Sequence, residues 1–201
     1  MVETSHKEIL AAIAMAITIV AFYPYLRGII QDAIKPHVFS WVIWAVTTLV
    51  VFIAQVQEHG GVGAWPIGLS GAITSVIAVL AYAKRAEVSI TRIDWLFFIL
   101  AMASLPLWYF TADAMWAVIL LTAVDLFGFA PTLRKIFIDP YSESLLFFAL
   151  FALRNILVVL ALEHYSLATV LFPAAVAAAC VLAITLMLVR RAKVMASHSL
   201  P

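Results

Sequence analysis

The chain has 201 residues, of which 66% are hydrophobic and only 11% are charged, and its mean hydropathy is +1.10. A soluble domain carries about 25% charged residues, so this composition excludes an ordinary soluble enzyme and a disordered chain. A net charge of +1 without a basic stripe excludes a nucleic-acid-binding protein, and the single cysteine excludes a disulfide framework. The sequence predicts an all-α integral membrane protein, which we expect in a bacterial inner (plasma) membrane.

Seven apolar stretches are long enough to cross about 30 Å of hydrocarbon as helices, since a helix rises about 1.5 Å per residue. In chain order they are Ile9–Leu26, Val38–Val56, Val62–Ala83, Ile93–Phe110, Met115–Leu133, Leu145–Leu162 and Ala168–Val189. The two-residue alternation of a transmembrane barrel is missing from the sequence. We therefore predict seven transmembrane helices, the first to the seventh segment.

Lysine and arginine residues near the segment ends indicate the orientation. Ten of them fall on one side, against Lys7 alone on the other. The positive-inside rule places the amino terminus outside and the carboxyl terminus in the cytoplasm. The inside loops are then Arg27–His37, Lys84–Arg92 and Arg134–Ser144. Tryptophans near the segment ends, including Trp41 at the inner side, are expected in interfacial aromatic belts.

An internal repeat appears when the chain is shifted on itself by 107 residues, so that positions 22–32 align with positions 129–139. Six of these eleven pairs are identical, where chance would give about one. The first three segments therefore repeat as the last three, and the fourth keeps both copies parallel. We assign 1–84 to the first three-helix repeat, 85–112 to a linker helix, 113–190 to the second repeat and 191–201 to a short cytoplasmic tail.

The repeat also indicates candidate hinges and gates. Four prolines lie inside or near the end of a segment, in the repeat-related pairs Pro24 with Pro131 and Pro66 with Pro173. Because a transmembrane proline kinks its helix, these four are candidate hinges for alternating access, and static bends are the alternative. The candidate gate residues are the charged members of the repeated motif, Arg27, Asp32, Arg134 and Asp139.

Only two charged residues fall in the middle of a segment, Asp125 in the fifth and Arg154 in the sixth. An unpaired charge at the bilayer centre costs on the order of 3 kcal/mol or more, so we expect the two side chains to face and pair with each other. The pair either fixes helix register or binds a substrate or a coupling proton. The repeat relates them to Thr18 and Thr47, so only the second half is ionic, which favours an asymmetric substrate or a single coupling ion.

The second segment carries a polar and aromatic stripe on one helical face. Its Trp44 corresponds to Phe151 in the repeat, and these two aromatic rings would either sandwich a planar or sugar-like ligand or pack inside the bundle. The predicted substrate-binding or coupling residues are Thr18, Trp44, Thr47, Thr48, Asp125, Phe151, Arg154 and Asn155. The sequence has no nucleophile, phosphate-binding or metal motif, so we predict no metal, no cofactor and no enzymatic activity.

The predicted order of seven helices in two three-helix repeats resembles that of the PQ-loop superfamily. This superfamily includes SWEET sugar transporters, half-size SemiSWEETs and lysosomal amino-acid exporters such as cystinosin. The similarity lies in the 3+1+3 order, the outside amino terminus and a proline near the inner end of the first helix of each repeat. Pro24-Tyr25 and Pro131-Thr132 stand where that family has Pro-Gln, and Lys35–Trp41 is similar to its following Lys-Ser…Leu-Ser stretch.

The resemblance implies a seven-helix SWEET-like fold and an alternating-access transporter of a small polar solute. Parallel-repeat transporters place their substrate near the bilayer midplane, between the halves. The expected partners are the lipid bilayer, a small-molecule substrate and a coupling proton, with a second copy of the chain as an oligomeric partner and no nucleic acid. The alternative function is a non-transporting membrane receptor or ligand-binding protein on the same fold, as in KDEL receptors.

Overall fold

The structure is a computed structural model that describes residues 2–32, 38–84, 92–141 and 143–198. Its helices are α1 (Val2–Ile30), α2 (Val38–Gln57), α3 (Trp65–Ala83), α4 (Arg92–Thr111), α5 (Ala114–Ile138), α6 (Leu145–Ala161) and α7 (Leu167–His198), with a short 3₁₀ helix (Gly61–Ala64) before α3. No strand occurs within these four ranges. The predicted all-α class is confirmed.

Four helical segments are long and apolar enough to cross a membrane, counted over the described residues: His6–Ile30, Ser40–Gln57, Gly61–Ala83 and Leu167–Met195. Shorter apolar helical segments are Phe98–Thr111, Ala114–Phe129 and Leu145–Ala161. Large apolar side chains also lie on the outside of the bundle, such as Phe110 at 82% exposure and Val79 at 67%. These features are compatible with an integral membrane protein, because lipid accepts apolar surface that water does not.

Local sequence signals explain where the later helices begin. The carboxylate of Asp113 accepts a hydrogen bond of 2.8 Å from the backbone N–H of Met115 at the start of α5. Ser144 caps α6, since its Oγ accepts the N–H of Phe147 at 3.3 Å. Such caps satisfy backbone donors that the first helical turn leaves without a partner. Together these caps fix the first turns of α5 and α6, the helices that carry Asp125 and Arg154.

The helices follow the same spatial order in the two halves of the chain. In the first half α3 lies between α1 and α2, and in the second half α7 lies between α5 and α6. The halves meet where α1 packs against α6 and where α2 packs against α5. The 107-residue shift exchanges these two interfaces with each other. Helix α4 packs against α5 and α2.

Two glycines of α3 allow a close approach to α2. A Cβ atom at Gly68 would lie 2.8 Å from Cε2 of Phe52, and one at Gly71 would lie 2.7 Å from Cδ2 of Leu49. A side chain at either position would require Phe52 or Leu49 to shift, so the two glycines allow the helices to pack closely as they do. This packing fixes α3 beside the cavity described below.

The basic end of the bundle, named for Lys84 and Arg191, is the end at which α1 stops and α6 begins. Lys84 at the end of α3 forms a salt bridge of 2.6 Å with Asp32 just after α1. Arg191, which the repeat relates to Lys84, donates from Nε to the carbonyl of Pro140 at 2.9 Å. Each half therefore ties the connection after its first helix to the end of its third helix.

The opposite end is closed by contacts between the two halves. Nε2 of buried Gln55 in α2 donates to the carbonyl of Thr169 in α7 at 2.7 Å. A carboxylate oxygen of Glu163 accepts the backbone N–H of Val62 at 3.1 Å. The α2–α3 connection and the α6–α7 connection therefore meet and close this end.

The predicted hinge prolines differ in their helical positions. Helices α1 and α7 continue as α-helix through Pro24 and Pro173. Pro66 lies in the first turn of α3, where a missing N–H leaves no hydrogen bond unmade, so its position gives no reason for a kink. Helix α5 passes position 131, but the side chains of Pro131 and Arg134 lie outside the described residues.

Candidate functional site

A cavity of about 480 Å³ lies between the two halves and extends from the basic end to the middle of the bundle. Three helices of each half supply its walls. The lining residues are Phe22, Tyr25, Trp41, Trp44, Thr48, Ser70, Thr74, Asp125, Gly128, Phe129, Thr132, Glu143, Phe147, Phe148, Phe151, Arg154, Phe172, Val176 and Cys180. Its volume falls within the range of small-molecule sites, which is about 300–1,000 Å³.

The two halves contribute equivalent positions to this cavity. Four pairs of lining residues are related by the 107-residue shift: Phe22 with Phe129, Tyr25 with Thr132, Trp41 with Phe148, and Trp44 with Phe151. Within each half these positions fall on the first and second helices. The cavity therefore lies where the two repeats meet.

Aromatic rings form one continuous surface along the cavity, which we name the aromatic wall. It consists of Phe22, Trp41, Trp44, Phe129, Phe147, Phe148 and Phe151. Ring centroids are 5.2 Å apart between Trp41 and Trp44 and 5.5 Å apart between Phe22 and Phe151, both with edge-to-face geometry. Phe147 stacks on Phe151 at 4.6 Å. These contacts stabilise the rings in fixed orientations.

The belt prediction is wrong for Trp41, which is only 8% exposed and belongs to the aromatic wall. Its indole N–H donates to the hydroxyl of Tyr25 at 3.2 Å, while its ring packs on Phe22 and Trp44. A tryptophan near a segment end satisfies the sequence rule for a belt. The rule carries no information on whether the residue faces lipid or the bundle interior.

Arg154 is buried, at 3% exposure, and makes four hydrogen bonds to neutral acceptors. Its Nε donates to Oγ1 of Thr18 at 3.1 Å, and its Nη1 donates to Oδ1 of Asn155 at 2.9 Å. Its Nη2 donates to the carbonyl of Pro66 and to Oγ of Ser70, both at 2.6 Å. The guanidinium group therefore joins α6 to α1 and α3.

Asp125 lines the cavity from α5, but the expected ion pair with Arg154 is not formed. Among the described residues the carboxylate makes no salt bridge and no hydrogen bond, and the salt bridge found there joins Lys84 and Asp32. The physical reason is that neutral acceptors on three helices already engage four of the five N–H groups of the guanidinium. One of these acceptors is Thr18, the residue that corresponds to Asp125 in the first repeat.

The remaining predicted binding residues divide into two groups. Trp44, Thr48 and Phe151 line the cavity together with Asp125 and Arg154. Three others lie behind its surface: Thr18, Thr47 and Asn155, with exposures of 1%, 0% and 0%. Thr18 and Thr47 each donate to a carbonyl of their own helix, Thr18 to Ala14 at 2.8 Å and Thr47 to Trp44 at 3.1 Å. Their polar groups are thus used inside the bundle.

The predicted gate residues lie at the basic end. Asp32 has a positive φ of 58° and pairs with Lys84, while Asp139 accepts the N–H of Tyr141 at 3.0 Å. Arg27 is exposed. The aspartates therefore shape the connections after the first and fifth helices and do not line the cavity.

Sequence reasoning missed several lining residues, and a signal existed for some of them. The pairs Phe22 with Phe129 and Trp41 with Phe148 are aromatic in both repeats. A search for further aromatic pairs related by the 107-residue shift, like Trp44 with Phe151, would have found them. Ser70 and Cys180 had no such signal, because their counterparts are alanine and isoleucine.

Comparisons with protein-family models, with characterised proteins and with solved structures gave no significant match. The resemblance to the PQ-loop superfamily therefore stays a prediction from the pattern of the sequence. Within the described ranges, no three His, Cys, Asp or Glu side chains come together as metal ligands would.

Proposed function

We propose that the chain is a membrane transporter of a small solute that works by alternating access between α1–α3 and α5–α7. In this proposal all seven helices span the bilayer in a PQ-loop-like 3+1+3 arrangement, with the basic end in the cytoplasm. The observation that carries it is the cavity at the junction of the halves, lined by four repeat-related pairs of residues. Parallel-repeat transporters place their substrate sites at such a junction.

The difference between the two ends supports the same mechanism. The cavity extends to the basic end, whereas contacts between the halves close the opposite end. Gln55 contributes to this closure through the hydrogen bond from its Nε2 to Thr169. Its Oε1, however, is buried without a hydrogen-bond partner in the described part of the chain. A buried acceptor without a partner costs about 1–3 kcal/mol, which lowers the cost of opening this end. We assign this conformation to the inward-facing state of the proposed cycle, because its cavity extends to the end that the proposal places in the cytoplasm.

Uptake into proteoliposomes tests this function, with labelled glucose, alanine and choline as probes. We expect uptake of at least one probe above that of protein-free vesicles. Cysteines introduced by Glu58→Cys and His164→Cys, in a Cys180→Ala background, lie at the surface of the opposite end, where the ring of His164 contacts the carbonyl of Glu58 at 3.1 Å, and they allow a bifunctional thiol reagent to hold this end closed. Cross-linking should stop uptake, because the cavity can then open only at the basic end.

A matched cross-link inside the first half is the control. Asp32→Cys and Lys84→Cys join α1 to α3, which lie in the same half, so their cross-link should leave uptake intact. Loss of uptake with both cross-links would argue against motion between the halves. Binding of a probe without uptake would instead favour the receptor alternative.

A further inference from the structure

We infer that the cavity binds a small organic cation, of the quaternary ammonium or protonated aromatic amine class, with its charge beside Asp125 and its body on the aromatic wall. This inference deepens the proposed function, and it rests on that function only for the transport step. Binding can be measured without transport, so the two proposals can fail separately.

The first argument is the distribution of charge around the cavity. Asp125 presents a carboxylate that has no hydrogen bond or salt bridge among the described residues. Arg154 has five N–H donors, and four hydrogen bonds to protein groups already engage it. A charge at mid-depth in a membrane is normally paired, and here a bound cation would supply the missing partner of the acid.

The position of Asp125 relative to the aromatic wall is the second argument. Gly128 follows Asp125 by three residues and so lies on the same face of α5. A Cβ atom at Gly128 would lie 3.7 Å from Nε1 of Trp44. This face of α5 therefore approaches the indole ring of Trp44. Indole is the side chain with the strongest cation–π attraction, which increases when the cation is removed from water.

The polar lining disfavours the other ligand classes. Ser70 accepts a hydrogen bond from Arg154, and the hydroxyl of Thr74 donates to backbone carbonyls of α3. Thr48, Thr132 and Tyr25, whose hydroxyl already accepts the indole N–H of Trp41, are the lining hydroxyls left to meet the many hydroxyl groups of a sugar. An amino acid or an anion would need several cationic donors for its carboxylate, and the contacts of Arg154 leave only one of its five N–H groups.

The test measures binding to the purified protein in detergent by isothermal titration calorimetry. Choline and 3,3-dimethyl-1-butanol have nearly the same shape, but only choline carries a charge. Phenyltrimethylammonium adds an aromatic body, and benzoate reverses the charge. We expect phenyltrimethylammonium to bind best and choline to bind about tenfold more tightly than its neutral analogue.

Variants at position 125 assign the effect to the carboxylate. Asp125→Asn should weaken cation binding about tenfold or more and remove the preference for choline over its neutral analogue, whereas Asp125→Glu should retain cation binding. Because Asp125 has no hydrogen-bond or ion-pair partner to lose among the described residues, we expect both variants to fold, and thermal unfolding checks this. A variant that unfolds is replaced by Trp44→Leu, which should reduce the preference for phenyltrimethylammonium over choline.

Three results would overturn the inference: equal binding of choline and its neutral analogue, tighter binding of benzoate, or full cation binding by Asp125→Asn. Cation binding without uptake into proteoliposomes would support the inference and contradict the transport proposal. Uptake of glucose or alanine, together with no cation binding, would support transport and contradict the inference.

Discussion

The α1–α6 interface and the α5–α2 interface occupy equivalent places in the two repeats, yet among the described residues only the first is held by a polar network around a buried charge. At the first interface Arg154 bonds Thr18 across the two halves at 3.1 Å. The equivalent pair at the second interface is Thr47 with Asp125, and Thr47 donates to a carbonyl of its own helix. A short threonine in place of arginine removes the long donor that would cross the interface.

We infer from this difference that the two interfaces have different roles. The guanidinium group and its four neutral acceptors fix α6 against α1 and α3. At the other interface the acid at position 125 has no partner among the described residues and lies on the cavity surface. One interface is therefore expected to act as the fixed contact about which the two halves move, and the other to carry the ligand.

Removing the arginine should have the largest effect on stability. Arg154→Met removes four hydrogen bonds and leaves Thr18, Ser70 and Asn155 with buried oxygens that lose a donor. Since each unsatisfied buried group costs about 1–3 kcal/mol, we expect a loss of about 3 kcal/mol or more in the free energy of unfolding. Denaturant unfolding in detergent measures it, and Arg154→Lys should retain only part of the stability because it lacks the planar fork of donors. Wild-type stability in Arg154→Met would contradict the fixed contact.

Filling the α5–α2 interface should affect binding more than stability. A Cβ atom at Gly128 meets Nε1 of Trp44 at ordinary contact distance, 3.7 Å, so Gly128→Ala should fit and bind like the wild type. Gly128→Leu places a larger side chain in the cavity and should weaken binding of phenyltrimethylammonium by about tenfold, or about 1.4 kcal/mol. Equal binding by the leucine and alanine variants would place the ligand away from this interface.

A double-mutant cycle compares the two interfaces through substitutions that should change the free energy of unfolding by smaller amounts. Thr18→Val should cost about 1 kcal/mol, and the cycle of Thr18 with Arg154 should show coupling, because the two side chains share a hydrogen bond. Asp125→Asn should change stability little and should be additive with Arg154→Met. Strong coupling between Asp125 and Arg154 would contradict the structure and support the ion pair that the sequence predicted.

The sequence was sufficient to predict the features that follow from the length of its apolar stretches and from the placement of its charged residues. The length of the apolar stretches predicted the helices, and the rarity of charge within those stretches selected Asp125 and Arg154, both of which line the cavity. The partner of Arg154 could not be predicted in the same way. Its acceptors include the backbone carbonyl of Pro66 and the hydroxyls of Thr18 and Ser70, which are common groups that become specific only when three helices meet.

The smallest expected effect is the response of transport to a pH gradient. If a proton and the organic cation compete for the carboxylate of Asp125, protonation removes the charge that holds the cation, so acid weakens binding. Vesicles with an acidic interior should then take up phenyltrimethylammonium about twofold faster than vesicles without a gradient, because the proton leaves as the cation enters.

The other titratable lining groups are Tyr25, Glu143, Arg154 and Cys180. Glu143→Gln should keep the response and Asp125→Asn should lose it, while exchange at saturating cation continues. Wild-type uptake that is the same with inward and outward proton gradients would contradict coupling and favour facilitated diffusion.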